Sequence, residues 1–233
     1  MPPEIADIVQ KITVMALPAI FAITLHEAAH GYVAYKLGDD TAWKAGRVTF
    51  NPIRHIDLFG TIIMPLALLV ITAQVGRPFV FGYAKPVPVR FDRLNRPRRD
   101  MVWVALAGPG TNVILAIVSA MLLGGAALLP PFLRGWTEDN LVNSVLFNVI
   151  LAVFNMIPLP PLDGGRVAVG LLPEVLAIPL ARMERYGIPI LITLLFLLPA
   201  IGDHLNMNLN VVGYVLDRPA TWLVRAISWL TGA

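Results

Sequence analysis

The sequence predicts an all-α polytopic membrane protein, and three observations carry that prediction. Of 233 residues, 57% are hydrophobic and only 14% are charged, against about 25% charged in a soluble domain. Mean hydropathy is +0.70. Several charge-free runs approach or exceed the roughly 20 residues a helix needs to cross a hydrocarbon core. The length suits a single membrane-embedded domain over residues 1–233, with a core over about 8–170 and C-terminal helices over 171–233. The absence of cysteine excludes disulfides and thiolate zinc sites.

The first span is expected over residues 8–37. It lacks the small-residue cleavage site of a secretory signal and reads as a retained helix. Residues 58–76 come next, interrupted by Pro65, followed by 101–133, 140–162 and 186–202. Residues 204–216 form a shorter run ending at Asp217–Arg218–Pro219. In the tail, Trp222, Ala226, Trp229 and Leu230 fall roughly along one helical face, as in an interfacial helix. Residues 85–100 are rich in Pro and Arg and cannot begin as a helix.

The first span ends in chemistry. His26, Glu27, Ala28, Ala29 and His30 spell HExxH. On a helix this places two imidazoles one turn apart on one face, suited to a single Zn²⁺, with Glu27 beside them to polarise a zinc-bound water. Ionisable side chains at membrane depth cost at least ~2.5 kcal/mol on insertion scales, so three in five positions argue for a metal rather than coincidence. A catalytic zinc needs a third protein ligand. His55, His204 and several acids are available. Asp163 stands out, because it follows Pro158, Pro160 and Pro161 and precedes Gly164 and Gly165. That stretch reads equally as a helix-terminating turn at the membrane surface.

HEAAH in one apolar segment and NMIPLPPLDGG in a later one together resemble the site-2 protease family of intramembrane zinc metalloproteases, whose pattern is HExxH plus N-x-x-P-x-x-x-x-D-G. LAGPGTN, residues 106–112, resembles the start of the intervening core span. GRVTFNPIRHIDLFGT, residues 46–61, and GYAKPVPV, residues 82–89, resemble the small subgroup without a PDZ domain. The resemblance implies His26, His30 and Asp163 as zinc ligands, Glu27 as catalytic base, and Asn155 as a group that holds the substrate backbone or the oxyanion. It implies transmembrane proteins or peptides as substrates. Many relatives have a span before the HExxH helix; here the HEAAH helix is expected to be the first.

Zinc binding constrains topology. His30 and Asp163 both lie at the C-terminal ends of their spans, so those spans must run in the same direction, with an odd number of crossings between them. Residues 101–133 supply one crossing. Residues 58–76 are therefore expected to be re-entrant, bending near Pro65. On that topology the loops 36–57, 77–100 and 163–185 share one face and hold most of the eighteen basic residues. The positive-inside rule makes that face cytoplasmic, with the active site toward it, in what reads as a bacterial plasma membrane.

Residues 46–51 alternate and precede Pro52. They read equally as an ordinary loop or as a short β element able to accept an unwound substrate by strand addition. Asn112 is expected to make an interhelical hydrogen bond, and His55 a loop hydrogen bond, with Asp57 available to satisfy it. The competing classes are a metal-binding membrane transporter and a catalytically silent scaffold. A transporter would not need Glu27, and the intact set His26, Glu27, His30, Asn155 and Asp163 argues against the scaffold. Nucleic acid is not an expected partner, because the basic run 93–99 sits between apolar runs and suits anionic lipid headgroups.

Overall fold

Small residues set how closely the helices meet. In a computed structural model describing residues 3–73, 82 and 84–232, three helices form the centre: α1 (Pro3–Lys36), α4 (Pro97–Gly125) and α5 (Pro131–Asn155). Ala22, Ala28 and Ala34 of α1, Ala105, Ala116 and Ala120 of α4, and Ala152 of α5 are all buried. Lipid tails are as apolar as leucine, so helices in a bilayer associate through close packing of small side chains and interhelical hydrogen bonds.

Polar rungs fix the direction of each helix. Trp136 Nε1 donates to Thr13 Oγ1 (3.1 Å), and Asn143 Nδ2 donates to the Val14 carbonyl (2.8 Å). Ser119 meets Ser144 (2.7 Å), and Asn112 Nδ2 donates to Asn148 Oδ1 (2.8 Å). His30 reaches the Val104 carbonyl (2.7 Å). From rung to rung the numbers rise on α1 and α5 and fall on α4. Thus α1 and α5 are parallel and α4 is antiparallel to both, as the shared-depth requirement demands.

Among the described residues, three helical stretches are long and apolar enough to cross a membrane: Gln10–Lys36, Pro97–Leu128 and Glu184–His204. The last comprises α8 (Glu184–Ile192), a wide turn over Thr193–Leu197 and α9 (Leu198–His204). The expected run 140–162 is shifted. Its helix, α5, starts earlier and takes in Arg134, Glu138 and Asp139, then stops at Asn155, leaving residues 156–162 irregular.

Three further expectations are corrected. A wide helical turn over Leu58–Ile63 leads directly into α3 (Met64–Ala73), so the chain does not bend at Pro65; residues 74–81, where a return would lie, fall outside the described residues. Asp57 does not partner His55. Its Oδ1 caps that helix, accepting from Phe59 N (3.0 Å) and Gly60 N (2.7 Å). Residues 46–51 form no β element, and no strand occurs among the described residues. The Thr49 carbonyl meets His55 Nε2 (3.1 Å), and Asn51 caps the short helix Pro52–His55, so these groups bond locally rather than to a ladder.

The tail is corrected too. α10 (Val211–Thr231) runs through Pro219 as one helix rather than ending there. Its inward stripe is Ala220, Leu223, Val224 and Ile227, at i, i+3, i+4 and i+7, and packs against Ala116 and Ala120 of α4 and Val149 of α5. Trp222 and Trp229 lie on the outer side, 70% and 87% exposed. The remaining elements are short: α2 (Thr41–Lys44), α6 (Asp163–Leu171) and α7 (Glu174–Arg182).

Beyond α1 the chain reverses at Gly38, whose φ of 111° is a conformation open mainly to glycine. Buried Asp39 secures the reversal. Its carboxylate accepts from Thr41 N (3.0 Å), Thr41 Oγ1 and Arg90 N (2.6 Å), joining the end of α1 to the segment 84–90. Burial alone would raise this carboxyl. The Thr41 and Arg90 donors and the Arg93 charge outweigh it and hold it below 3.8. A depressed carboxyl stabilises the fold above its unfolded pKa, and that contribution is lost as pH falls through the folded value. Asp39→Ala is therefore expected to lower stability by about 1–3 kcal/mol at neutral pH. Thermal unfolding in detergent should show the difference from wild type shrinking below pH 3.8.

Candidate metal centre

The two histidines of HEAAH are held by α4. His26 Nδ1 lies 2.5 Å from Asn112 Oδ1, and His30 Nδ1 lies 2.7 Å from the Val104 carbonyl. Both partners are acceptors. The Asn112 orientation is fixed, because its Nδ2 donates to the Ala22 carbonyl (3.2 Å) and to Asn148 Oδ1 (2.8 Å). Each Nδ1 therefore carries a proton, the tautomer in which a ring presents a bare Nε2 lone pair.

Those lone pairs converge. The Nε2 atoms are 3.0 Å apart, and the rings meet edge to face at 4.6 Å between centroids. Asp163 Oδ2 completes a triangle at 3.2 Å from His26 Nε2 and 3.3 Å from His30 Nε2. All three residues are buried.

Asp163 arrives through local chemistry. Pro158, Pro160 and Pro161 lack the N–H groups that would extend α5. The chain turns back, and Leu162 N bonds to the Leu159 carbonyl (2.9 Å) before α6 begins at Asp163. The turn is so tight that a Cβ on Gly164 would lie 2.3 Å from the Met156 carbonyl oxygen, and one on Gly165 would lie 2.3 Å from Pro160 N. Across the site, a Cβ on Gly108 would come within 2.5 Å of His30 Nε2 and 2.6 Å of His26 Nε2. The α4 backbone closes one side of the triangle without filling it.

The donor set fits a divalent cation. Asp163 Oδ2 is buried without a hydrogen-bond partner, and its neighbours are two lone pairs that repel it. Two imidazoles and a carboxylate are zinc ligands by type and number, and leave a fourth position open. Among the described residues no other group of three His, Cys, Asp or Glu side chains could hold a metal ion.

The other residues singled out by the motifs do not join the triangle. Glu27 is half-buried, and its Oε2 accepts from Val87 N at 2.8 Å. Asn155, the last residue of α5, is half-buried, and its Nδ2 donates to the Leu151 carbonyl of its own helix (2.9 Å). His55 is buried in the loop it helps to fold, and His204 ends α9. Sequence reasoning passed over Asn148, Gly108, the Val104 carbonyl and the Val87 amide. Asn148, a polar residue in an apolar run, and Gly108, within the GPG of residues 108–110, carried a signal in their residue types.

The model of peptidase family M50 matches residues 135–198. YwhC of Bacillus subtilis (strain 168), provisionally named a zinc metalloprotease, is 39% identical over 190 residues, covering 79% of this chain and 80% of its own. The chain belongs to peptidase family M50. Rip2 of Mycolicibacterium smegmatis, provisionally named in the same way, is 28% identical over 76% of this chain and 64% of its own length. MJ0611 of Methanocaldococcus jannaschii, again provisionally a zinc metalloprotease, is 31% identical over 71% of this chain and 73% of its own. No solved structure matches.

The packing of α4 on the histidines gives a direct check on this candidate centre. Gly108→Ala forces the imidazoles apart, with an overpacking cost of about 1–3 kcal/mol, and metal analysis of the purified variant should show depleted zinc. Gly110→Ala, whose added Cβ meets nothing within 4 Å, should keep the wild-type zinc content.

Proposed function

We propose that this M50 chain is an intramembrane zinc metalloprotease, which hydrolyses peptide bonds within or next to the transmembrane segments of membrane proteins, as in regulated intramembrane proteolysis. One observation carries the reading: three bare acceptors, His26 Nε2, His30 Nε2 and Asp163 Oδ2, converge at 3.0–3.3 Å at one end of an apolar helix that also carries Glu27. The whole chain is taken as one membrane-embedded domain, with its core over about 8–170 and C-terminal helices over 171–233.

His26, His30 and Asp163 would hold the ion. Zinc, when bound, supplies Lewis acidity toward a water and toward the scissile carbonyl. Glu27 removes the proton from the attacking water and delivers it to the leaving amine nitrogen, so that no charged amide anion has to depart. Asn155 turns its amide from Leu151 to the substrate backbone or the developing oxyanion. The substrate helix unwinds first, because its carbonyls are otherwise engaged in internal hydrogen bonds.

Orientation follows from charge. Lys36 ends α1, and Lys44, Arg47, Arg54, Arg90, Arg93, Arg96, Arg98, Arg99 and Arg166 follow it, precede or begin α4, or follow Asp163. They crowd the end of the bundle that holds the triangle, and the positive-inside rule puts that end toward the cytoplasm of a bacterial plasma membrane.

The test is cleavage of a labelled transmembrane peptide by purified protein in detergent or vesicles. Wild type should cleave it, and a zinc chelator should abolish cleavage. Glu27→Gln should keep its zinc and lose at least about 10²-fold in rate, whereas Asp163→Asn should lose zinc and activity together. Zinc-loaded Glu27→Gln at the wild-type rate would remove Glu27 from its assigned role.

A further inference from the structure

Residues 84–90 run extended across the face of α1 that carries Glu27 and Gly31. Four anchors hold them. Lys85 N donates to the His55 carbonyl (2.9 Å), and Arg47 Nη2 donates to the Lys85 carbonyl (2.6 Å). Val89 packs beside Ala34, Leu94 and Val104, and Arg90 N donates to Asp39 Oδ2 (2.6 Å). Val87 is buried, and a Cβ on Gly31 would lie 3.0 Å from its Cγ1.

The sequence here is Pro86-Val87-Pro88. Neither proline has an N–H, so these three residues offer one backbone donor, that of Val87. Each proline also pushes the residue before it into extended conformation, which fixes Lys85 and Val87. The lone donor lands on Glu27 Oε2 at 2.8 Å. A glutamate on a helix surface can otherwise sample many rotamers. Here one oxygen is tied to a segment anchored at four points.

We propose that the Val87 amide is the positioning donor for Glu27: the Pro-Val-Pro segment presents one N–H that holds the catalytic carboxylate oriented toward the metal site. This rests on the reading of Glu27 as general base. Val87 acts through Glu27 and does not itself touch the substrate.

Two measurements test it. In a backbone already extended, Val87→Pro removes the donor and sets the ring Cδ in place of the amide hydrogen, against Glu27 Oε2. It should lower kcat by about 10-fold or more, with KM within about 2-fold and zinc content as in wild type. The conservative Val87→Ala keeps the N–H and should restore most of that rate. The proposal is overturned if Val87→Pro turns over at the wild-type rate or faster, or if Val87→Ala loses as much. The second measurement needs no activity, and decides the matter where Val87→Pro loses its fold or its zinc. In ¹⁵N-valine-labelled protein, the Val87 amide, assigned by its absence from Val87→Ala, should exchange at least about 10-fold faster in Glu27→Ala than in wild type. Equal exchange overturns the contact. If wild type fails to cleave any transmembrane peptide while the exchange difference holds, the failure belongs to the proteolytic reading and not to the contact.

Discussion

Three lone pairs within 3.3 Å of one another in a buried site are the constraint around which this molecule is built. Left alone they repel, and a buried polar atom without a partner costs about 1–3 kcal/mol. The fold does nothing to relieve this internally. Instead it uses up the other side of each ring. Asn112 and Val104 take the Nδ1 protons, which forces the Nε2 lone pairs inward. Behind Asn112 the hydrogen bonds continue to Asn148, Ser144 and Ser119. Orientation at the centre is therefore set by a polar chain that crosses between α4 and α5 and belongs to no single helix.

The same chain solves a packing problem. Apolar helices in lipid can slide and rotate against one another at little cost, because no large hydrophobic gain singles out one register. Alanines at the contacts set the separation, and the polar rungs set the register. A shift of one turn along α4 would move Asn112 some ~5 Å from His26 and strand a buried amide. The residues that keep the helices aligned are thus the ones that fix the histidine tautomers, and structural and chemical roles are not separable at Asn112.

Much of this was legible in the residues, for reasons that can be named. HEAAH is readable because helical periodicity alone places i and i+4 on one face. The parallel course of α1 and α5 was forced by requiring His30 and Asp163 to meet at one depth. What was misread depended on partners that no single segment reveals. The run before Pro219 was read as ending there, but α10 continues through it, and the stripe of Ala220, Leu223, Val224 and Ile227 beyond it packs on α4 and α5. Residues 46–51 alternate like a strand, but their polar groups bond within the loop. Asp57 sits two residues from His55 yet caps the following helix. The Val87 contact could not be read from side-chain types, because its donor is a backbone amide; its one trace is the pair of prolines around it.

The placement of Asp163 joins these threads. Asp163 is the first residue of α6, and the first N–H groups of that helix turn back on the Leu162 carbonyl, which accepts from Gly165 N (3.0 Å) and Arg166 N (3.3 Å). The prolines that end α5 and the glycines that permit the tight return are what put a new helix start at this point. Without them α5 would run on, and an acid at the same position would ride a helix interior with no route back to α1. The break in the helix is therefore part of the site: it is what returns the Asp163 carboxylate to the two imidazoles.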